Sequence, residues 1–205
     1  MRVAVLTVDQ RGSRRQAATD RVPGTLTALA GLGGAGPLLR PFERTAGDEF
    51  QGVLEDPRSL AAVVERLLRE GGWSIGIGIG PVDTPLPEST RAGRGPAFLH
   101  ARTAVTAAKS SHSHIRVEGD VPGTRSLETV LWLWAALLAR RTPRGWEVTD
   151  LVDTGLRYDE VAERLGITQS AVSQRAQAAG IVESLRAREL VTELAADLLG
   201  RGTTR

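Results

Sequence analysis

The sequence predicts an α+β protein with a sheet domain over residues 1–117, a linker over 118–125 and an all-α domain over 126–205. Hydrophobic periodicity in the first part indicates the order strand, helix, strand, strand, helix, strand, helix, strand. After residue 125 the apolar patterns are helical only. The first order is that of a split βαβ, ferredoxin-like arrangement, which predicts an antiparallel sheet with helices on one face and the other face open.

Composition limits the classes of function. The 205 residues are 41% hydrophobic and 24% charged, which is ordinary for a soluble globular protein. The absence of Cys excludes a disulfide framework and Cys-ligated zinc. The apolar N-terminal run ends at Asp9, too early for a signal region or a membrane span, so we expect a cytoplasmic protein. A net charge of +2 is weak evidence for a nucleic-acid partner.

Each element of the sheet domain follows from a local pattern. Asp56 and Pro57 suit the start of a helix, and an apolar stripe follows them. Three Ile alternate with three Gly over 73–80, which predicts a strand that something approaches closely on its bare side. The predicted strands are 3–8, the two halves of 38–55, 73–80 and 114–117, and the predicted helices are 24–32, 56–72 and 97–109.

The helical part begins and ends with apolar segments. Residues 126–141 are apolar almost all round, and residues 182–199 carry Leu mostly along one side. Such helices must be buried, either within this domain or against a partner. They are therefore the natural surface for a homodimer, or else they form the core of the domain.

Residues 158–177 have the pattern of two short helices joined by a tight turn. Val161 and Leu165 are predicted to face the core, Gly166 to take the turn, and Ile167 and Val172 to pack the second helix back. The segment resembles the helix-turn-helix of phage repressors and of sigma-factor region 4 over all twenty positions. In such motifs a position near Arg175 is usually apolar, and Ala176 would fill this position instead of Arg175.

The second of these helices is expected to present polar side chains to duplex DNA. Gln and Arg make bidentate contacts to adenine and guanine in the major groove, and Ser and Thr reach phosphates or bases. Residues 118–205 contain 11 Arg against 13 Asp and Glu, a net charge of −2, so we expect weak binding as a monomer and stronger binding as a homodimer. The alternative is a helical domain that touches no DNA. The candidate DNA-binding residues are Thr168, Gln169, Ser170, Ser173, Gln174 and Arg175.

Two acids are predicted to lie side by side on the open face of the sheet. Asp9 ends the first strand, and Asp48 and Glu49 begin the strand after the hairpin. In a split βαβ sheet these strands are central neighbours, so Asp9 and Asp48 would lie side by side. Hard oxygen ligands of this kind suit Mg²⁺ and a nucleoside triphosphate. His112 and His114 lack a third ligand, so we expect them in a solvated loop.

Four segments resemble a known family. "RTAGDEF" (44–50) resembles the R-x-G-G-D-E-F signature of diguanylate cyclases, with Ala46 in place of the first Gly. "SIGIGIG" (74–80) resembles their S-x-G-I-A strand, and "ARTAVTAAK" (101–109) their A-D-x-A-L-Y-x-A-K helix. A closer likeness is to SatD-type bacterial proteins, which pair a similar "GDEFQ" segment with a start like "VDQRGSR" (8–14).

This resemblance implies a cyclase or palm-type nucleotide-binding domain. It implies that Asp9 and Asp48 hold metal with Glu49 beside them, and that Lys109 and Arg14 meet phosphates. Two parts of the cyclase pattern are missing: the Asn that contacts guanine would fall near Ala17, and the upstream inhibitory Arg-x-x-Asp motif is absent. No catalytic residue is assigned. The alternative is a retired palm, in which the acids are turn residues and the glycines serve only tight packing.

Together these patterns predict a DNA-binding transcription regulator whose sheet domain senses a nucleotide-type ligand with Mg²⁺. The alternative from another class is a Mg²⁺-dependent nucleotidyl transferase or cyclase with an accessory helical domain. A third possibility is an interaction protein in which both halves are inert.

Overall fold

The computed structural model describes residues 1–13, 19–32 and 38–200. Within them the α+β prediction is confirmed, with five strands and eight α-helices. None of the helices in these ranges is long and apolar enough to cross a membrane. The strands are β1 (Arg2–Gln10), β2 (Arg40–Ala46), β3 (Glu49–Leu54), β4 (Trp73–Pro81) and β5 (Ile115–Glu118). The helices are α1 (Val22–Ala30), α2 (Pro57–Glu70), α3 (Pro96–Ala108), α4 (Thr124–Ala139), α5 (Pro143–Asp153), α6 (Tyr158–Leu165), α7 (Gln169–Ala178) and α8 (Ile181–Leu199).

The sheet has the strand order β2-β3-β1-β4-β5. The central strand β1 runs antiparallel to both neighbours, β3 and β4. The outer strand β5 runs parallel to β4, so the sheet is mixed and the expectation of a wholly antiparallel sheet is wrong for this strand. The reason is that α3 forms the connection from β4 to β5, and a helical crossover brings the chain back in the same direction.

Both faces of the sheet are covered. Ala4, Leu6 and Val8 of β1 lie in the main core with residues of α2, α4 and α8. The alternate residues Val3 and Val5 lie in a smaller core with residues of α3. The expectation of one open face is therefore wrong, because α3 occupies the face opposite to α2, α4 and α8.

The glycines of β4 allow α3 to lie against the bare backbone of the strand. A Cβ atom at Gly76 would fall 2.1 Å from the backbone nitrogen of Val105, and one at Gly78 would fall 2.1 Å from the carbonyl oxygen of Ala97. The alternating residues Ile75, Ile77 and Ile79 are buried in the main core. The Ile-Gly alternation thus packs large side chains on one face and a helix backbone on the other.

The main core continues across the predicted linker. Leu131 and Trp134 of α4, and Val191 and Ala195 of α8, lie in the same apolar cluster as the sheet and α2. The two apolar segments, 126–141 and 182–199, therefore bury their main apolar sides within the chain. Leu133 remains outside this core, with 69% of its surface exposed.

Helices α5 to α7 form a separate, smaller cluster around Val148, Val161 and Val172. Polar groups join this cluster to the body of the protein. Arg69 of α2 lies over the ring of Trp146 at 4.3 Å and donates hydrogen bonds to the carboxylate of Asp150. These contacts hold α5 against α2, and α8 also joins the two parts, with Ile181 in the smaller cluster and Val191 in the main core.

We expect Gly76→Ala to destabilise the fold. The new methyl would meet the α3 backbone at 2.1 Å, and overpacking of this kind typically costs about 1–3 kcal/mol. Gly24→Ala is the matched control, because Gly24 lies in α1 with open space around it and Ala is the better helix former. Urea unfolding checks the prediction. Equal free energies of unfolding for the two variants would contradict the close approach of α3.

Candidate functional site

A cleft of about 810 Å³ opens at the end of the sheet where β1 ends and β3 and β4 begin. Asp9 is paired with Glu49 of β3 on one side and with Ser74 of β4 on the other. The end of α3 and the segment before β5 close the cleft. The residues around it are Asp9, Gln10, Arg11, Gly12, Ser13, Asp48, Gly72, Ser74, Lys109 and His114.

Lys109 forms an ion pair with Asp9 inside this cleft. The Nζ atom of Lys109 lies 2.7 Å from Oδ2 of Asp9, whose side chain is only 16% exposed. Lys109 is the only lysine in the chain, and it directly follows the last residue of α3. A cation at a helix C-terminus is stabilised by the helix dipole. The structure therefore brings together two residues that the sequence assigned to metal and to phosphate.

Asp48 also lines the cleft, from the two-residue turn between β2 and β3. Gly47 before it has φ +56°, a conformation that favours glycine. The backbone N–H of Gln10 donates to the carbonyl oxygen of Asp48 at 3.1 Å, which ties the turn to the end of β1. Asp9 and Asp48 thus border one cleft.

Glu49 has a different environment. It lies opposite Asp9 in the strand register, but its side chain is only 9% exposed and it does not line the cleft. Its carboxylate accepts hydrogen bonds from Nη2 of Arg102 at 2.9 Å and from Oγ1 of Thr45 at 2.7 Å. Glu49 therefore ties the start of β3 to α3.

Sequence reasoning missed Arg102. Arg102 and Lys109 stand seven residues apart, which places them on the same face of a helix. Each pairs with one member of the Asp9–Glu49 register pair. The spacing of the two basic residues was the available signal, and it became meaningful only with the strand pairing known.

The acids do not fit a metal centre as they stand. Among the residues that the structure describes, no group of three or more His, Asp or Glu side chains is placed to hold a metal ion. Asp9 and Glu49 each carry a basic partner where a cation would bind. The predicted Mg²⁺ site gains no support from this geometry, and Arg14 lies outside the described residues.

His114 lies in a loop before β5, as expected, but it is half-buried there and contributes to the cleft wall. It has φ +50°, and no described residue is hydrogen-bonded to its buried Nδ1 atom. Burial lowers the pKa of His114, and the nearby charge of Arg11 lowers it further. Its neighbour His112 is exposed.

The second candidate site is the pair of helices α6 and α7. Gly166 ends α6 with φ +63°, and Oγ1 of Thr168 accepts a hydrogen bond from the Ala171 N–H at 3.1 Å to cap α7. Val161 and Val172 are fully buried between the helices. Ala176 is 3% exposed, so it takes the apolar position beside Arg175.

The predicted DNA-binding residues lie mostly on the solvent side of α7. Five of the six are exposed, and Arg175 is half-buried. The exposed five are Thr168, Gln169, Ser170, Ser173 and Gln174. Their amide and hydroxyl groups form a polar face that starts at the N-terminus of the helix.

We expect Arg102→Met to destabilise the protein, because it leaves the buried carboxylate of Glu49 without its charged partner. Arg102 is itself largely exposed, so the loss should be about 1–3 kcal/mol, below the cost of breaking a fully buried pair. The double variant Arg102→Met/Glu49→Gln should recover part of this loss. Urea unfolding of the single and double variants measures the coupling free energy, and strictly additive losses would contradict the ion pair.

The lowered pKa of His114 predicts a pH-dependent stability. Unfolding returns the imidazole to its ordinary pKa of 6.5, so below that pH the unfolded chain binds more protons than the folded one. The free energy of unfolding should therefore fall as the pH drops below about 6.5. We expect His114→Asn to flatten this decline between about pH 7 and pH 5 in urea unfolding. His112→Asn is the control and should retain the native profile; a native slope in His114→Asn would refute the assignment.

Comparison with known proteins finds one solved structure, a crystal structure of a regulator of polyketide synthase expression from Bifidobacterium adolescentis. The two chains are 13% identical, and the match covers 100% of this chain and 82% of the other with a TM-score of 0.32. A likeness at that score carries no argument about fold or function. No protein-family model and no curated protein matches the chain.

Proposed function

We propose that this chain is a DNA-binding transcription regulator in which α6 and α7 form a helix-turn-helix and α7 enters the major groove. The observation that carries the proposal is the polar face of α7, where Gln169, Ser170, Ser173 and Gln174 are exposed while Val172 is fully buried. Amide side chains near the start of a recognition helix read base edges, and hydroxyl groups reach phosphates or bases.

Charge argues for binding as a homodimer. Residues 118–205 carry a net charge of −2, and Asp159, Glu160 and Glu163 are exposed on α6. Affinity for DNA depends strongly on neutralised phosphates, so one copy alone would bind weakly. Two copies on an inverted repeat would double the contacts. Val182, 65% exposed at the start of α8, offers apolar surface next to α7 for such an assembly.

The cleft is the proposed site of a nucleotide-type ligand, in a sheet domain of the ferredoxin-like, palm type. Lys109 and Arg11 supply positive charge at its wall, and Ser13 and Ser74 supply hydroxyl groups. Phosphate groups would draw Lys109 away from Asp9, because a polyanion is the stronger partner for an ammonium group. The ligand thereby changes the contact between β1 and the end of α3, which makes the cleft a sensor.

A nucleotidyl transferase or cyclase is the second candidate. In its favour, Asp9 and Asp48 both border the cleft, as a pair of carboxylates for Mg²⁺ would. Against it, Lys109 binds Asp9 and Arg102 binds Glu49. Incubation with Mg²⁺ and nucleoside triphosphates distinguishes the two: turnover that Asp9→Ala and Asp48→Ala abolish would favour the enzyme.

Selection of duplexes from a random DNA pool tests the regulator. We expect the full chain to enrich an inverted repeat, because a dimer presents two α7 helices related by two-fold symmetry. Gln169→Ala should lose this enrichment or relax it at the contacted positions, since each bidentate base contact is worth about 1–3 kcal/mol of discrimination.

Gln177→Ala is the matched control, because Gln177 is exposed two turns further along α7, away from its N-terminus. It should select the same repeat as the native chain. No enrichment by the native chain at low salt would overturn the proposed DNA binding.

Lys109→Met should weaken nucleotide binding about tenfold or more, because it removes the ammonium group from the cleft. Isothermal titration of ATP and GTP against the native chain and the variant measures this. Arg125→Met is the control, since Arg125 is exposed and lies outside the cleft. Equal affinities for native chain and Lys109→Met would show that the cleft does not hold the phosphates.

A further inference from the structure

A second cavity adjoins the cleft on the side of α4. It has a volume of about 250 Å³, and the two spaces share Arg11, Gly72 and His114 as a common wall. Beyond this wall the cavity is lined mainly by apolar side chains of α2, β4 and α4, with His112 and Ser113 among them, whereas the cleft is lined by polar, charged and glycine residues. The combined site thus has a charged compartment and, beside it toward α4, a more apolar one.

The cavity persists because α4 presents only small side chains to it. Its wall on that side is formed by Ala135, Ala136 and Ala139. A water molecule occupies about 30 Å³ in the liquid, so a cavity of 250 Å³ has room for one compact ring system but not for a polar chain in addition to it. An apolar pocket with one or two placed polar groups is the usual form of a small-molecule site.

His114 supplies the placed polar group. Its Nδ1 atom is buried, and no other described residue is hydrogen-bonded to it. In a neutral imidazole one ring nitrogen carries the proton and the other is an acceptor, and the His114 ring lines both spaces. An amino N–H of a ligand would supply a partner for the acceptor nitrogen.

We propose that this cavity is the second compartment of the ligand site and receives the nucleobase of an amino-bearing nucleotide whose phosphates lie in the cleft. The base packs against Leu68, Ala136 and Ala139, and the acceptor nitrogen of His114 takes a hydrogen bond from its exocyclic amino group. This inference rests on the proposed nucleotide-binding function and deepens it, because it names the part of the ligand that the second compartment takes.

A ligand in the cavity would also affect the contacts at the end of α7. Ala139 is the last residue of α4, and two residues later Nε of Arg141 donates a hydrogen bond to the carbonyl oxygen of Ala179 at 2.9 Å. Ala179 directly follows α7. A base against Ala139 therefore contacts the helix whose end holds α7, and it shifts the position of α7 to the extent that it binds one arrangement better.

Cavity-filling variants test the proposal. Ala135→Leu places a larger side chain at a buried position of the cavity wall, and Ala139→Leu does so at an exposed one, so the second serves if the first does not fold. Ala30→Leu is the matched control, because Ala30 is exposed at the end of α1, far from the cavity wall in sequence and not part of it. Circular dichroism verifies that each variant is folded.

Isothermal titration with ATP, GTP and inorganic tripolyphosphate gives the readout. We expect ATP or GTP to bind the native chain and Ala30→Leu equally, and the cavity variants about tenfold more weakly or worse, while tripolyphosphate binds all of them alike. Native affinity for nucleotide in the folded cavity variants would overturn the inference and leave the proposed function standing. An equal loss of affinity for tripolyphosphate in the cavity variants would also overturn the inference. If the native chain binds neither nucleotide, the proposed ligand function fails and this inference fails with it.

Hydrogen exchange at the amides of Ala179 and Gly180 tests the connection to α7. Nucleotide should change their exchange at least severalfold in the native chain and leave it unchanged in Ala135→Leu. Unchanged exchange in the nucleotide-bound native chain would overturn the role of α4 as the connection.

Discussion

The contact between α3 and the glycine side of β4 is the constraint on which the rest of the site depends. The backbone of α3 lies so close to Gly76 and Gly78 that a Cβ atom at either would meet backbone atoms of the helix at 2.1 Å. This approach sets the height of α3 above the sheet. It thereby places Arg102 and Lys109 within reach of the two acids at the end of β1 and the start of β3.

The charges at this end of the sheet are arranged in opposite pairs of unequal accessibility. Glu49 is shielded and held by Arg102 and Thr45, so it stabilises the packing of α3 on the sheet. Asp9 and Lys109 border the cleft, whereas Glu49 and Arg102 are not among the residues that line it. The two neighbouring ion pairs thus differ in position, because only one of them faces the cleft.

The helices after the sheet are also divided into two groups, according to the apolar cluster to which they contribute. The apolar side chains of α4 and α8 share the main core with the sheet, whereas α5 to α7 have their own cluster. Arg141, only 6% exposed, bridges the two by donating to the carbonyl groups that follow α7. In the proposed function, α4 would connect the cavity beside the cleft, which its Ala135, Ala136 and Ala139 line, with the residues that follow α7.

Local patterns in the sequence determined most of the elements of this protein. A continuous apolar run located β1, period-two alternation located β4, and the stripe after Asp56 located α2, because the pattern of apolar side chains reflects which faces are buried. The exposed face of α7 was likewise readable, since the burial of Val161 and Val172 leaves the polar residues outside. Asp9 and Asp48 border one cleft, as the strand order of a split βαβ sheet suggests, and Lys109, which the resemblance to the cyclases indicated, borders it too, whereas Glu49 does not line it.

Only the tertiary structure decided the remaining features. The side of the sheet on which α3 packs, the parallel direction of β5 and the pairing of Arg102 with Glu49 depend on contacts between residues far apart in sequence. Such long-range contacts also determine the core that α4 shares with the sheet and the burial of Nδ1 of His114. Hydrophobic periodicity states that a face is buried and does not state against what, so the partner of each face is determined only when the whole chain is packed.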